Sequence, residues 1–232
     1  VIRRRQARLR SEGRWVGLGV ACYTEGTGVG PFEGARVALD GSGKLIVALG
    51  SCPQGQGHET VFAQVAAHAW RMPIEDVVVR VGDTAGVTMG YGTVGSRSAV
   101  TGSMAIELAS APVKAKVLAV AGEMLEADPR DLELRQGGVC LAGAPAHRVS
   151  LAEIAQASLP GWLHRRPEGI DAGLEHVAFY EPPTVTWSYA ANAALVEVDP
   201  QTGGVTIERY VEVHDAGVLI NPTLADGQRG ID

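Results

Sequence analysis

The chain has 232 residues, enough for one large domain or two small ones with a core that needs no staples. Hydrophobic residues make up 46%, too many for a disordered chain, and a formal charge of −6 denies it the basic face that nonspecific nucleic-acid binding requires. Its three cysteines, Cys22, Cys52 and Cys140, lie far apart without a CxxC pair. Zinc-site spacing and a disulfide framework are thereby excluded, and a reducing compartment, the cytoplasm, is expected.

The N-terminus lacks the apolar core of a signal peptide, and no apolar run approaches a membrane span. The chain starts without Met inside a basic stretch, where Arg3, Arg4, Arg5, Arg8 and Arg10 read as a solvated helix face. It stops at Gly230-Ile231-Asp232, shortly after a helix-start pattern, so a piece of a longer protein is expected.

Residues 14–25 read as a strand carrying glycines. Residues 35–40 and 44–50 alternate around Asp40-Gly41-Ser42-Gly43, a hairpin pattern. Phe62, Val65, Ala69 and Met72 recur at helical spacing over 58–72, and Pro73 ends that segment. A strand is predicted at 76–82, then a glycine-punctuated loop from Asp83 to Arg97. An Ala-rich helix follows over 98–127, kinked or split at Pro112. A short strand pair over 131–147 surrounds Gln136-Gly137-Gly138, and a short helix over 150–158 opens on Ser150 and Glu153, a capping-box pattern. Residues 160–185, rich in Pro and Gly, read as a connector. Two long strands are predicted at 186–198 and 204–214, and Asn221-Pro222 starts a last helix. The fold class is therefore α+β, with mixed β-sheet layers packed against helices. Its expected divisions are a cofactor-binding subdomain at 1–130, a small insert and connector at 131–185, and a closing hairpin with a helix start at 186–232.

Three segments share a strand–loop–helix layout. In Gln54-Gly55-Gln56-Gly57-His58-Glu59-Thr60, Gly55 and Gly57 allow close backbone approach, Gln56 offers an amide, and the Thr60 hydroxyl sits in the first helical turn. In Gly92-Thr93-Val94-Gly95-Ser96-Arg97-Ser98, three hydroxyls, the Gly95 N–H and the Arg97 guanidinium gather where a helix opens. The helix dipole there favours anions. Arg97 is either an anion fork or a clamp on an acid such as Asp83. The third segment is His214-Asp215-Ala216-Gly217 with Asn221 and Gln228. Taken singly, each segment also reads as a plain turn into a helix. Other chemistries fail. His58-Glu59 begins a zinc-protease pattern, but Phe62 occupies the place of its second His, and no nucleophile elbow, phosphate-binding Gly-Lys-Ser/Thr or dinucleotide fingerprint occurs.

Those motifs resemble, in order and over essentially the whole chain, the molybdenum hydroxylases: the large catalytic subunits of xanthine dehydrogenases, aldehyde oxidoreductases and aerobic carbon monoxide dehydrogenases. The Gln-Gly-His-Glu-Thr and Gly-Ser-Arg-Ser forms are similar to the bacterial branch. The resemblance implies a molybdopterin cofactor in its cytosine dinucleotide form, held by Gly55, Gln56, Gly57, His58, Thr60, Thr93, Gly95, Ser96, Arg97 and Ser98, with Asp215, Asn221 and Gln228 on the far side. It implies no direct protein ligand to the metal and no catalytic residue within this chain, the general-base Glu being expected beyond Asp232. Further implied are iron–sulfur clusters and FAD on partner subunits or domains, the missing N-terminal half of the large subunit, and a small-molecule substrate: an aldehyde, an N-heterocycle or carbon monoxide. The isolated chain is expected to be inactive. Three departures stand out: Ala216 replaces a frequent Cys, His214 a frequent acid, and Pro112 interrupts a helix that is usually continuous. The competing readings are a non-catalytic module binding a nucleotide or phosphate through the same loops, and a ligand-free interaction domain.

Overall fold

The structure is a computed structural model that describes residues 1–160 and 166–229. The chain divides into two compact units, Val1–Thr27 with Thr186–Leu219, and Gly28–Val185 with Ile220–Asp232.

The first unit is a three-stranded antiparallel sheet with one helix. Strand β1 (Trp15–Thr27) pairs with β9 (Thr186–Val198), which pairs with β10 (Val205–Asp215). Helix α1 (Ile2–Ser11) presses Leu9 toward Val16, both buried. Its arginines face water apart from Arg5, which meets Glu208 at 2.7 Å, while Arg14 forks onto Glu197.

The second unit is built on a mixed four-stranded sheet in the order β4-β3-β2-β8. Strands β2 (Glu33–Leu39) and β3 (Leu45–Leu49) form the expected hairpin, and its turn closes because Asp40 Oδ1 accepts the N–H groups of Ser42 and Lys44. From β3 the chain crosses through α2 (His58–Trp70) to β4 (Val77–Val81), which lies parallel to β3. Parallel strands require such a crossover helix. Helix α3 (Ser98–Leu125) packs against α2 and the sheet, and Phe62, Trp70, Ile106, Val113 and Val117 are fully buried between them. Burying Phe62 and Trp70 alone contributes roughly 4–6 kcal/mol each at 25 cal/mol per Å², which pins α2 to the sheet. A second, antiparallel sheet of β5 (Leu132–Arg135), β6 (Gly138–Leu141) and β7 (Ala144–Ser150) adjoins α4 (Leu151–Ala157). Ser150 and Glu153 form both bonds of the predicted capping box. Strand β8 (Glu175–Tyr180) edges the first sheet, and α5 (Pro222–Arg229) closes the unit.

Three expectations are corrected. Helix α3 runs unbroken through Pro112 and is not split there. The proline ring forfeits one backbone bond, and it lies beside exposed Leu108 and Ala111, where water can satisfy the freed carbonyl. The strand pair at 131–147 is three strands, because the polar, Pro-bearing segment 144–150 serves as an edge, where a missing N–H is tolerated. The connector at 160–185 contains β8, paired antiparallel with β2; Ala178 and Tyr180 alternate toward the core while Val177 and Phe179 face outward. Residues 161–165 of that connector lie outside the described residues.

Candidate functional site

Within the second unit, β3 and β4 are adjacent parallel strands, and each ends in one of the glycine loops. The carboxyl ends of such strands are where open α/β sheets bind ligands. The helices that follow run side by side in the same direction. A Cβ on Gly102, the fifth residue of α3, would lie 2.7 Å from Phe62, the fifth of α2. Trp70 Nε1 donates to Ser110 Oγ over 3.0 Å, and these are the thirteenth residues of their helices. The N-termini of α2 and α3 therefore sit together at one end of the unit. Neither has a side-chain cap, whereas α4 carries a capping box and α5 opens on the Asn221 carboxamide, whose Oδ1 accepts from Leu224 N over 3.0 Å. Two uncapped N-termini side by side leave backbone N–H groups and two positive dipole ends for an anion, each worth roughly 0.3–2 kcal/mol.

In the first loop, Gly57 adopts a left-handed conformation at φ 73, which starts α2 without a Cβ at the entrance. Gln54 and Gln56 brace each other: Gln54 N–H donates to Gln56 Oε1 over 2.7 Å, and Gln56 Nε2 donates to Gln54 Oε1 over 3.3 Å. Gly55 and Thr60 are exposed. His58 is only 7% exposed, its Nδ1 has no hydrogen-bond partner, and burial holds its imidazole below the ordinary pKa of 6.5. A buried, neutral imidazole with an unused nitrogen suits a ligand group better than empty protein.

In the second loop, Gly95 and Ser96 are exposed, and both have positive φ. Buried Ser98 donates from Oγ to Thr93 Oγ1 over 3.2 Å. Arg97 settles as a clamp. It is 1% exposed, and its acid is Glu33 rather than Asp83: Arg97 Nη1 donates to Glu33 Oε2 over 2.7 Å. Three further N–H groups reach the carbonyls of Gly92, Val29 and Phe32. The guanidinium shapes the loop from within and does not face outward as an anion fork.

The third segment divides. Asn221 adjoins the first loop: its Nδ2 donates to Gln64 Oε1 of α2 over 2.9 Å, and Leu224 abuts Gly57. Both sides of the Asn221 amide are thus engaged in bracing. Gln228 belongs to α5, and its side chain lies outside the described residues. Asp215 belongs to the first unit, where its Oδ1 accepts from Gly217 N over 2.9 Å. There it lines a shallow hollow of about 540 Å³ with Cys22, Tyr23, Tyr189 and Val213. Among the described residues no cluster of three His, Cys, Asp or Glu side chains could hold a metal ion.

Sequence patterns did not single out Glu33, Ser51 or Gln64. Glu33 was detectable in principle, as a charge in alternation with the apolar, buried Ala35, Val37 and Leu39 on one face of its strand.

Residues 2–229 match the family model described as molybdopterin cofactor-binding domain. The chain is 35% identical to the nicotine 6-hydroxylase large subunit of Paenarthrobacter nicotinovorans and 32% identical to the carbon monoxide dehydrogenase large chain of Afipia carboxidovorans; each match covers 97% of this chain. The crystal structure of quinoline 2-oxidoreductase from Pseudomonas putida 86 superposes with a TM-score of 0.87 at 36% identity, over 98% of this chain and 30% of that one. The chain spans about 29% of the length of the two curated relatives.

Proposed function

The chain belongs to the molybdopterin cofactor-binding domain family, and on that premise we propose that the paired loops before α2 and α3 form one wall of the cofactor's cradle. The observation that carries the proposal is the pair of uncapped, parallel helix N-termini beside His58, whose buried Nδ1 lacks a partner. The backbone N–H groups of both first turns hold the phosphates. Thr60, Thr93 and Ser96 add hydroxyls, the Gln54–Gln56 amide pair faces the pterin, and His58 contributes a neutral ring nitrogen. Arg97 and Asn221 act behind this wall, holding the loops. When bound, the group supplies a molybdenum centre able to take two electrons from a carbon substrate while oxygen is added from water. The side chains of this chain bind and orient it and shape the field around it.

For the whole protein we propose a molybdenum-dependent hydroxylase of the cytoplasm, acting on an N-heterocycle, an aldehyde or carbon monoxide. The cofactor is in its cytosine dinucleotide form, and iron–sulfur clusters and FAD on partner domains carry electrons away. The names of the relatives support this, since nicotine and quinoline are N-heterocycles. No described helix is long and apolar enough to cross a membrane.

Metal analysis and acid hydrolysis of the purified full-length protein test the proposal. Near-stoichiometric molybdenum and release of cytidine 5′-monophosphate are expected. Nucleotide without molybdenum would favour a non-catalytic phosphate-binding module instead, and the absence of both would overturn the reading.

A further inference from the structure

We propose that Glu33 is a positioning residue for the cofactor, one buried carboxylate that holds the two cradle loops at a fixed offset. It rests on the cofactor reading above. Glu33 begins β2, belongs to neither loop, and is fully buried. Its Oε2 accepts from Ser51 Oγ over 3.0 Å, three residues before Gln54 in the first loop, and from Arg97 Nη1 over 2.7 Å in the second. Its Oε1 accepts from Gly34 N over 3.0 Å, which fixes the carboxylate plane. Directly above, the loops cross without side chains: a Cβ on Gly90 would lie 2.2 Å from the Gly50 Cα and 2.9 Å from Glu33 Oε1. The Arg97 guanidinium also stacks on Tyr91, 4.9 Å from the ring centroid, and binds the Gly92 carbonyl.

A buried ion pair is a weak source of net stability, because desolvation offsets most of the attraction; what it adds is direction. Here the direction is specific. Ser51 leads into the N-terminus of α2, and Arg97 is the residue on which α3 begins. Moving Glu33 would slide one helix start relative to the other, and both first turns would no longer address one ligand. Glutamine in its place keeps the shape but removes the charge opposite Arg97, and one oxygen becomes an NH₂ that cannot accept, so either the Ser51 and Arg97 bonds to Oε2 or the Gly34 N–H bond to Oε1 is lost.

The test uses the full-length holoenzyme and three variants: Glu33→Gln, Ser51→Ala and, as a core control, Ile154→Val. Molybdenum retention during dialysis, the paramagnetic resonance signal of the reduced metal and the thermal midpoint are measured for each. Glu33→Gln is expected to lose molybdenum at least ten-fold faster than wild type with an altered resonance signal. Ser51→Ala should lose it about three-fold faster with the same spectral trend, and it decides the matter if Glu33→Gln does not fold. Ile154→Val should lower the midpoint with retention and signal unchanged. If the Glu33 and Ser51 variants keep the wild-type signal and retention, or lose metal only as their midpoints fall, the positioning role is wrong while the cofactor reading stands. A wild-type protein with neither molybdenum nor pterin nucleotide would overturn the cofactor reading and the positioning role with it.

Discussion

At the residue scale, two buried side chains mark the paired glycine loops, and they do so in opposite ways. His58 has an unpartnered Nδ1 in a buried site, so its neutral form is favoured and its folded-state pKa lies below the ordinary 6.5. The unfolded chain then binds more protons than the folded one between the folded pKa and 6.5. The contribution to stability is full above that range and is lost as pH falls through it. Thermal midpoints of wild type and His58→Gln between about pH 7.5 and 5.5 should therefore diverge. The wild type loses more stability on acidification, and equal slopes would contradict the buried neutral state. Arg97, by contrast, has all three guanidinium nitrogens engaged. That each loop runs into a helix was legible in the sequence, because glycine and hydroxyl residues precede a helical pattern. The inward turn of Arg97 was not, because its partner Glu33 is 64 residues away and only the crossing of Gly50 over Gly90 brings them together.

Among the elements, the strongly periodic ones were readable and the weakly patterned ones were not. The β2–β3 hairpin, α2, α4 with its capping box and the β9–β10 pair follow from alternation, helical spacing and turn residues. β7 and β8 escaped because an edge strand with one solvated face needs little apolar content, and its pairing is specified by its neighbour. α3 shows the reverse error, since a local rule against interior proline was overridden by packing along the helix, where Ala105, Ala109, Val113, Val117 and Val120 are all fully buried. The cost of that proline should still be measurable. Pro112→Ala returns an N–H to the Leu108 carbonyl and removes a ring clash, and it is expected to stabilise the protein by about 1–3 kcal/mol, seen as a higher denaturant midpoint at unchanged slope. A destabilised variant would mean that α3 needs the bend the proline allows.

For the whole molecule, the sheet of the first unit sets the behaviour of the chain in solution. Residues opposite one another in register share a face. Leu18, Val20 and Cys22 of β1 therefore align with Leu195, Ala193 and Ala191 of β9, and Ala193 and Ala191 in turn with Val211 and Val213 of β10. Val20 and Val213 are each 68% exposed, so this is a continuous apolar stripe across three strands. The opposite face carries Trp15, Val205, Ile207 and Tyr210, also exposed. A sheet apolar on both faces exceeds what monomeric soluble proteins usually leave in water, and a net charge of −6 over 232 residues gives only modest repulsion against association. The 232-residue chain expressed alone should therefore self-associate with rising concentration and bind an apolar dye, as light scattering and dye fluorescence would report. Val20→Thr with Val213→Thr keeps β-branching, and hence strand preference, while removing apolar area from the centre of one face. The double variant should shift the association midpoint to several-fold higher concentration with an unchanged far-ultraviolet spectrum. A chain that stays monomeric and dye-free at high concentration would show that these side chains do not form an adhesive stripe.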